Sequence, residues 1–468
     1  MSDLLIRSGR VIDPANDIDM IADVLVVGGI IRAVGPHAGV NAPPGITTID
    51  AEGLLVCPGF IDTHVSLREP GHEEDESTAT GTAAALAGGF TTIAAMSDTS
   101  PVIDNRSSAE FVRLQANRAR RCRVYPLGAV TKGSEGLELA EIGQLAQAGA
   151  VAFSDAKRPV ANAEVMRRAL EYTRMFNRPI LHFAMVPELA EGGVMHEGFQ
   201  STRLGLRGVP AAAQDIMTVR DIALAELTDG RIHLMCVTTK DSVEQIRNAR
   251  LRGIRITADV TPHHLLLTDR VMESFDPMFR CDPPLRSREH IDALISGLKD
   301  GTITAISADH QPRATEKKIV EIDVAPPGIC GLETLLPVCV RALIEPGHLS
   351  WPGLIRLLTI GPAEILGLTK QESPPSGRIN RTISNGSEYL GHGTLTPGTA
   401  ADVTLIDPDS EWTVNADEFQ SRSRNTPFHG MKFRGRVHTT IVDGEVRWKQ
   451  STGSLNPVVD SKQHSEWQ

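Results

Sequence analysis

The sequence predicts an α/β protein: a (β/α)8 barrel of the TIM type, flanked by two β-rich ends. Three observations predict it. Strand-like apolar runs alternate with helix-like runs eight times between residues 56 and 368. Short strands broken by Gly, Asp and Asn fill residues 1–55 and recur in 393–450. Polar residues with chemical potential close the strand-like runs rather than sitting in mid-helix, which is where a barrel carries its working groups.

The elements follow in order. Leu4–Ile6, Arg10–Ile12, Val24–Val27 and Ile30–Val34 read as strands. The first barrel strand runs into His64. Phe90–Met96 follows a helix over Ala79–Ala87, and Val124–Val130 follows the basic helix ending in Arg118-Ala119-Arg120-Arg121. Ala150–Asp155 follows a helical stretch from Leu137 to Ala148. Pro179–His182, Arg231–Cys236, Ile254–Val260 and Ile303–His310 complete the eight. A doubly wound open sheet is the alternative, but no GxGxxG follows the first strand. Residues 369–392 form a polar insertion rich in Ser, Pro, Gly and Asn, and 451–468 a polar tail. Ala401–Asp407 and Val437–Val446 read as strands, the latter with a hairpin at Asp443-Gly444.

Composition narrows the function classes. A chain of 468 residues with 41% hydrophobic and 22% charged residues is long enough for a large core and reads as globular. A net charge of -11 argues against nucleic acid or an anionic membrane as partner. No apolar run approaches the roughly 20 residues of a membrane helix. The start, Met1-Ser2-Asp3-Leu4, has no signal-peptide pattern, and the six cysteines (57, 122, 236, 281, 330, 339) include no CxxC. A cytoplasmic protein with reduced thiols is expected.

The chemistry centres on one stretch. Leu54–Cys57 feeds Pro58-Gly59-Phe60-Ile61-Asp62-Thr63-His64-Val65-Ser66-Leu67-Arg68-Glu69-Pro70-Gly71. Alternation puts His64, Ser66 and Arg68 on one face and Val65 and Leu67 on the other. A polar trio on a strand that otherwise reads as buried needs partners. For a lone histidine, a hydrogen-bonded strand end would be the plain reading. This stretch, however, resembles the first barrel strand of the amidohydrolase superfamily, and most closely that of the dihydroorotases, which carry His-x-His-x-x-Arg-Glu-Pro-Gly. His64 and Arg68-Glu69-Pro70-Gly71 match, and Ser66 stands where the second histidine belongs. Gly192–Gly198, Thr261–Leu265, Gly328–Thr334 and Asn425–Phe428 resemble the family as well.

The resemblance implies that both chain ends pair into one small β-sandwich domain (1–55 plus 393–450) beside a metal-dependent hydrolase barrel (56–368); alternation alone leaves two separate sheets open. It implies interconversion of N-carbamoyl-L-aspartate and L-dihydroorotate in pyrimidine synthesis, with zinc activating water and polarising the carbonyl. His64 matches the family's first metal histidine, Asp155 the acid after strand four, and His182 the strand-five histidine. Asp309 matches the final acid, both ligand and general acid/base, and Cys236 stands in place of the strand-six histidine. One zinc ion or none is expected rather than two. It would sit on His64, Asp155 and Asp309, or on Asp155, His182 and Cys236. The other reading is that these groups hydrogen-bond to one another without metal.

The expected substrate-binding residues are Arg68, Asp98, Asp282 and Arg313. Arg68 suits a substrate carboxylate, with an ion pair to Glu69 or Asp98 as the alternative. Asp98 and Asp282 stand where the family has Asn, and Arg313 where it has His. Hydantoinases share the fold but carry a lysine for carbamylation after strand four. Lys157 would meet that role only if the strand continued past Asp155. Two functions remain open: a dihydroorotase acting on a small-molecule substrate, and a non-catalytic relative that stabilises aspartate carbamoyltransferase. An oligomer is expected in either case.

Overall fold

The structure is a computed structural model describing residues 3–369 and 391–450. Nearly all of the polar insertion expected at 369–392, and the tail 451–468, lie outside the described residues.

Eight parallel strands make the barrel, in the order Phe60–Val65, Phe90–Ala95, Arg123–Gly128, Ala152–Phe153, Ile180–His182, Ile232–Leu234, Ile256–Val260 and Ala305–Ile306. All residues of the first two are buried, as parallel strands covered on both faces require. The covering helices are amphipathic. Ala163–Arg174 buries Met166, Ala169, Leu170 and Thr173, and is capped by Asn162, whose side chain accepts from the Glu164 and Val165 amides.

The barrel is drawn shut at its first and last strands. The Asp62 carboxylate accepts from the His64 amide at 3.1 Å, from the Ala308 amide at 2.8 Å and from the Ser307 hydroxyl. The Ser66 amide donates to the His310 carbonyl at 3.0 Å. A buried carboxylate with three donors is a strong clamp between distant segments.

Both chain ends join one mixed sheet. Its order is Glu445–Lys449, Lys432–Val442, Val403–Thr413, Leu55–Pro58, Leu4–Asp13, Ile18–Val27 and Ile30–Gly35, with Thr47–Asp50 on Leu4–Asp13. Leu55–Pro58 pairs parallel to Arg10-Val11 and antiparallel to Val403–Ile406. It then passes through Gly59 directly into the first barrel strand. A Cβ at Gly59 would fall 2.2 Å from the Thr91 side chain, so only glycine fits this crossing. The hairpin at Asp443-Gly444 has φ of 54° and 73°, the left-handed pair of a two-residue turn.

Three elements in particular are shorter than the sequence predicts. The helix expected from Leu137 spans only Ile142–Gln147. Residues before it pair with the preceding loop: the Lys132 amide donates to Glu138 and the Ala140 amide to Val130, both at 2.9 Å. The fourth and eighth strands end at Phe153 and Ile306. Past them, Ala156 (φ 54°) and Asp309 (φ 46°) turn the chain left-handed toward the barrel mouth.

Candidate active site at the barrel mouth

Of the five expected ligands, three converge. One ligand atom each of His64, Cys236 and Asp309 lies within 4.8 Å of the others, and all three residues are buried. His64 reaches this point from the first strand, Cys236 from the turn after the sixth and Asp309 from the turn after the eighth. Cys236 (φ 53°) and Asp309 are both left-handed, which aims their side chains across the mouth.

Asp259, from the seventh strand, organises this cluster from behind. Its Oδ2 lies 2.8 Å from His64 Nε2 and 2.8 Å from His233 Nε2, and its Oδ1 accepts from the Cys236 amide at 2.7 Å. Burial disfavours the charged carboxylate, but His64 and His233 outweigh it, and Asp259 is held well below the usual carboxylate range. Burial likewise opposes a charge on His64. The carboxylate of Asp259 and the neighbouring Cys236 override it and hold His64 well above its ordinary value.

Lys157 enters the same cluster. Its Nζ lies 2.9 Å from Asp309 Oδ1, 3.2 Å from Cys236 Sγ and 2.9 Å from the Asp282 carbonyl oxygen, and 4.8 Å from the centre of the Phe183 ring. Burial works against the ammonium, but Asp309, Cys236 and Asp282 raise it above its ordinary value. Asp309 is burdened by burial and lowered more strongly by Lys157 and His64. Burial and Asp309 push the Cys236 thiol up to about 11.

The other two expected ligands lie apart from this group, and their donor atoms are occupied. His182 Nδ1 lies 2.6 Å from Asp221 Oδ2, and its Nε2 accepts from the Val160 amide at 3.0 Å. Asp155 Oδ1 accepts from the Val130 amide at 2.7 Å and the Thr131 amide at 3.0 Å, and its Oδ2 from the Thr131 hydroxyl. A second buried group, His263, His264 and Cys281, could also hold an ion. There the Pro283 carbonyl takes a hydrogen bond from His264 Nε2 at 2.9 Å and from Cys281 Sγ at 3.3 Å. A carbonyl only accepts, so those two atoms carry their protons.

The donor set of His64, Cys236 and Asp309 is of a type that suits one zinc ion, and Asp259 behind His64 is the outer carboxylate such a histidine needs. Yet Lys157 already engages two of the three donors. Ser66, Asp155 and His182, which the resemblance would place around a second ion, are each hydrogen-bonded to protein groups. Ser66 Oγ donates to Asp98 Oδ2 at 2.7 Å.

A cavity of about 530 Å³ opens beside the cluster, and Arg68, Asp98, Asp282 and Arg313, the four expected binding residues, all line it with Lys157 and Gln311. Arg68 Nη1 donates to Asp98 Oδ2 at 2.8 Å. Its Nε and Nη2 are buried and have no hydrogen-bond partner among the described residues. Arg313 donates from Nε to the Pro327 carbonyl at 3.0 Å and is pushed down to about 10, by burial first and then by the charge of Arg68. Glu69 is engaged elsewhere, by the Thr78 amide and Gln115.

Asp259, His233, Asp221 and Asp62 were not among the residues singled out in the sequence. A signal existed for two of them: Asp259 lies between Ala258 and Val260 in a strand run, and Asp221 falls on the buried face of the helix Ala212–Thr228.

A family model described as Dihydro-orotase-like matches residues 53–242. A protein named dihydroorotase from Geobacter metallireducens is 44% identical over 447 residues, covering 96% of this chain and 100% of the relative. Dihydroorotases from Solibacter usitatus (43%, covering 97% and 99%) and Acetivibrio thermocellus (42%, covering 95% and 98%) are similar over nearly the same span. Among solved structures, an L-hydantoinase (dihydropyrimidinase) from Arthrobacter aurescens superposes with a TM-score of 0.82 at 24% identity over 97% of both chains. A D-hydantoinase (dihydropyrimidinase) from Thermus sp. does so with 0.77 at 23%, over 97% and 96%. Those structures share the fold, a barrel with a sheet from both ends. With identity of 42–44% to relatives over nearly its whole length, and with the motif that opens the barrel at His64, this chain belongs to the dihydroorotase family.

Proposed function

We propose that the chain serves pyrimidine biosynthesis as a dihydroorotase-like cyclic amidohydrolase whose ligand pocket is kept and whose hydrolytic centre is eroded. The reaction of reference is the interconversion of N-carbamoyl-L-aspartate and L-dihydroorotate, both carboxylates. Support for the retained pocket comes from Arg68, which lines the cavity with Arg313 and whose buried Nε and Nη2, a two-donor edge, have no hydrogen-bond partner among the described residues. Such an edge is complementary to a carboxylate.

The eroded centre rests on one observation above the others, the ion pair between Lys157 and Asp309. Asp309 is the expected general acid/base. An efficient base has a pKa near the working pH, and Lys157 and His64 instead hold Asp309 low despite its burial. A carboxylate stabilised in this way is a weak base. The expected zinc count is one ion or none, and turnover is weak or absent.

A second reading follows from the same pair: a non-catalytic dihydroorotase-like subunit that stabilises aspartate carbamoyltransferase. The fold is intact, while the residues that would perform hydrolysis are tied to one another. A cytoplasmic oligomer is part of this reading, as expected of the family. Among the described residues no helix is long and apolar enough to cross a membrane.

The test is dihydroorotate turnover by the purified, zinc-supplemented chain, alone and with its aspartate carbamoyltransferase. Slow turnover that requires Asp309 supports the eroded enzyme. No turnover in either state, with the partner's activity or assembly changed, supports the scaffold. Turnover at the rate of an ordinary dihydroorotase contradicts both.

A further inference from the structure

An ammonium group has three donors. Lys157 Nζ has three acceptors within reach: Asp309 Oδ1 at 2.9 Å, the Asp282 carbonyl at 2.9 Å and Cys236 Sγ at 3.2 Å. The Phe183 ring, 4.8 Å away, adds a fourth favourable contact for a cation. Every donor is therefore matched, in a setting where an unmatched buried charge would be strongly destabilising. This is a built cation site, and its occupant is part of the chain.

The same acceptors are the atoms that a metal ion would need. Asp309 and Cys236, with His64, are the three residues that converge within 4.8 Å. Lys157 reaches them because Ala156, at φ 54°, reverses the backbone just after the short fourth strand. Two left-handed turns, at Cys236 and Asp309, bring the acceptors to meet it.

We propose that Lys157 is a resident cation, its ammonium occupying the place of a metal ion between Asp309 and Cys236 and thereby excluding divalent metal from the folded chain. The inference rests on the eroded centre argued above and names its cause. It also predicts a latent site: with Lys157 removed, His64, Cys236 and Asp309 become free to bind one ion of a metal that accepts nitrogen, thiolate and carboxylate together.

The test uses Co2+, whose bond to a thiolate gives a charge-transfer band, and reads binding rather than turnover. Full-length chain and Lys157→Met are titrated with Co2+ and analysed for bound metal. The natural chain is expected to show no thiolate band and an unchanged unfolding midpoint with excess Co2+. Lys157→Met is expected to bind one Co2+ per chain, at least about tenfold tighter, with a band that disappears in Lys157→Met/Cys236→Ser. A thiolate band in the natural chain, or a rise in its midpoint with Co2+, overturns the proposal. So does a folded Lys157→Met that binds no tighter. Should Lys157→Met fail to fold, the midpoint and the spectrum of the natural chain decide alone. The eroded-enzyme reading fails separately: brisk turnover by a metal-free chain would end that reading and leave the resident cation standing.

Discussion

His64 Nε2 lies 2.8 Å from Asp259 Oδ2, and both side chains are buried. This pair is the keystone of the barrel mouth, because the other oxygen of Asp259 fixes the Cys236 amide and Oδ2 is shared with His233. Removing the charge strands a buried histidine that is held protonated. Asp259→Asn should lower unfolding stability by about 3–5 kcal/mol, the usual effect of breaking a buried pair at one partner. Urea unfolding followed by circular dichroism measures it; a loss of under about 1 kcal/mol, the range of an exposed pair, would mean that His64 is neutral there.

Arg68 offers the test of ligand recognition. Arg68→Lys keeps a positive charge able to pair with Asp98 but loses the free Nε and Nη2 edge. Binding of L-dihydroorotate, measured by titration calorimetry, should weaken by about 10- to 100-fold, the equivalent of one or two charged hydrogen bonds. Equal affinity in the two proteins would move the carboxylate site to Arg313.

Asp309→Asn should abolish whatever turnover the chain has, since Asp309 is the carboxylate among the three residues that converge at the barrel mouth and is the expected general acid/base. A steady-state assay with coupled detection of N-carbamoyl-L-aspartate reads this directly. Full retained turnover would remove Asp309 from the acid/base role.

Lys318 provides a pH signature of its own. It is 1% exposed, donates to the Pro326 carbonyl at 3.1 Å and has no carboxylate partner among the described residues, so burial pushes it down to about 8 from 10.5. Above pH 8 the folded chain has released this proton while the unfolded chain still binds it. Stability attributable to Lys318 therefore rises with pH between about 8 and 10.5, by about 1.4 kcal/mol per pH unit at most. Below pH 8 the full penalty is present. Lys318→Met should flatten that rise and raise stability at pH 7; chemical unfolding across the window gives the slope for both proteins.

The architecture was legible in the sequence because it depends on patterns that repeat. Alternating apolar runs gave all eight barrel strands, and the Asp443-Gly444 pair marked its hairpin without further help. The positions of His64, Cys236 and Asp309 at strand ends were also readable, since a parallel barrel leaves only those ends open. What the sequence did not disclose was the pairing. Whether Asp155 and His182 face the cluster depends on which backbone amides lie opposite, and Val130, Thr131 and Val160 are brought there by the fold. From sequence alone, Lys157 meets the site only if the fourth strand continues past Asp155. It reaches the site because the strand stops at Phe153 and the chain reverses at Ala156, a turn that an alanine gives no sign of making.

The central claim, a dihydroorotase-family pocket whose hydrolytic metal centre has been replaced by protein contacts, is tested most directly by the zinc content of the chain. The protein would be produced in zinc-supplemented medium, purified without chelator and analysed for metal per chain alongside dihydroorotate turnover. The account predicts at most one zinc per chain and turnover that is weak or absent. Two zinc ions per chain, with turnover that a chelator removes and zinc restores, would contradict it.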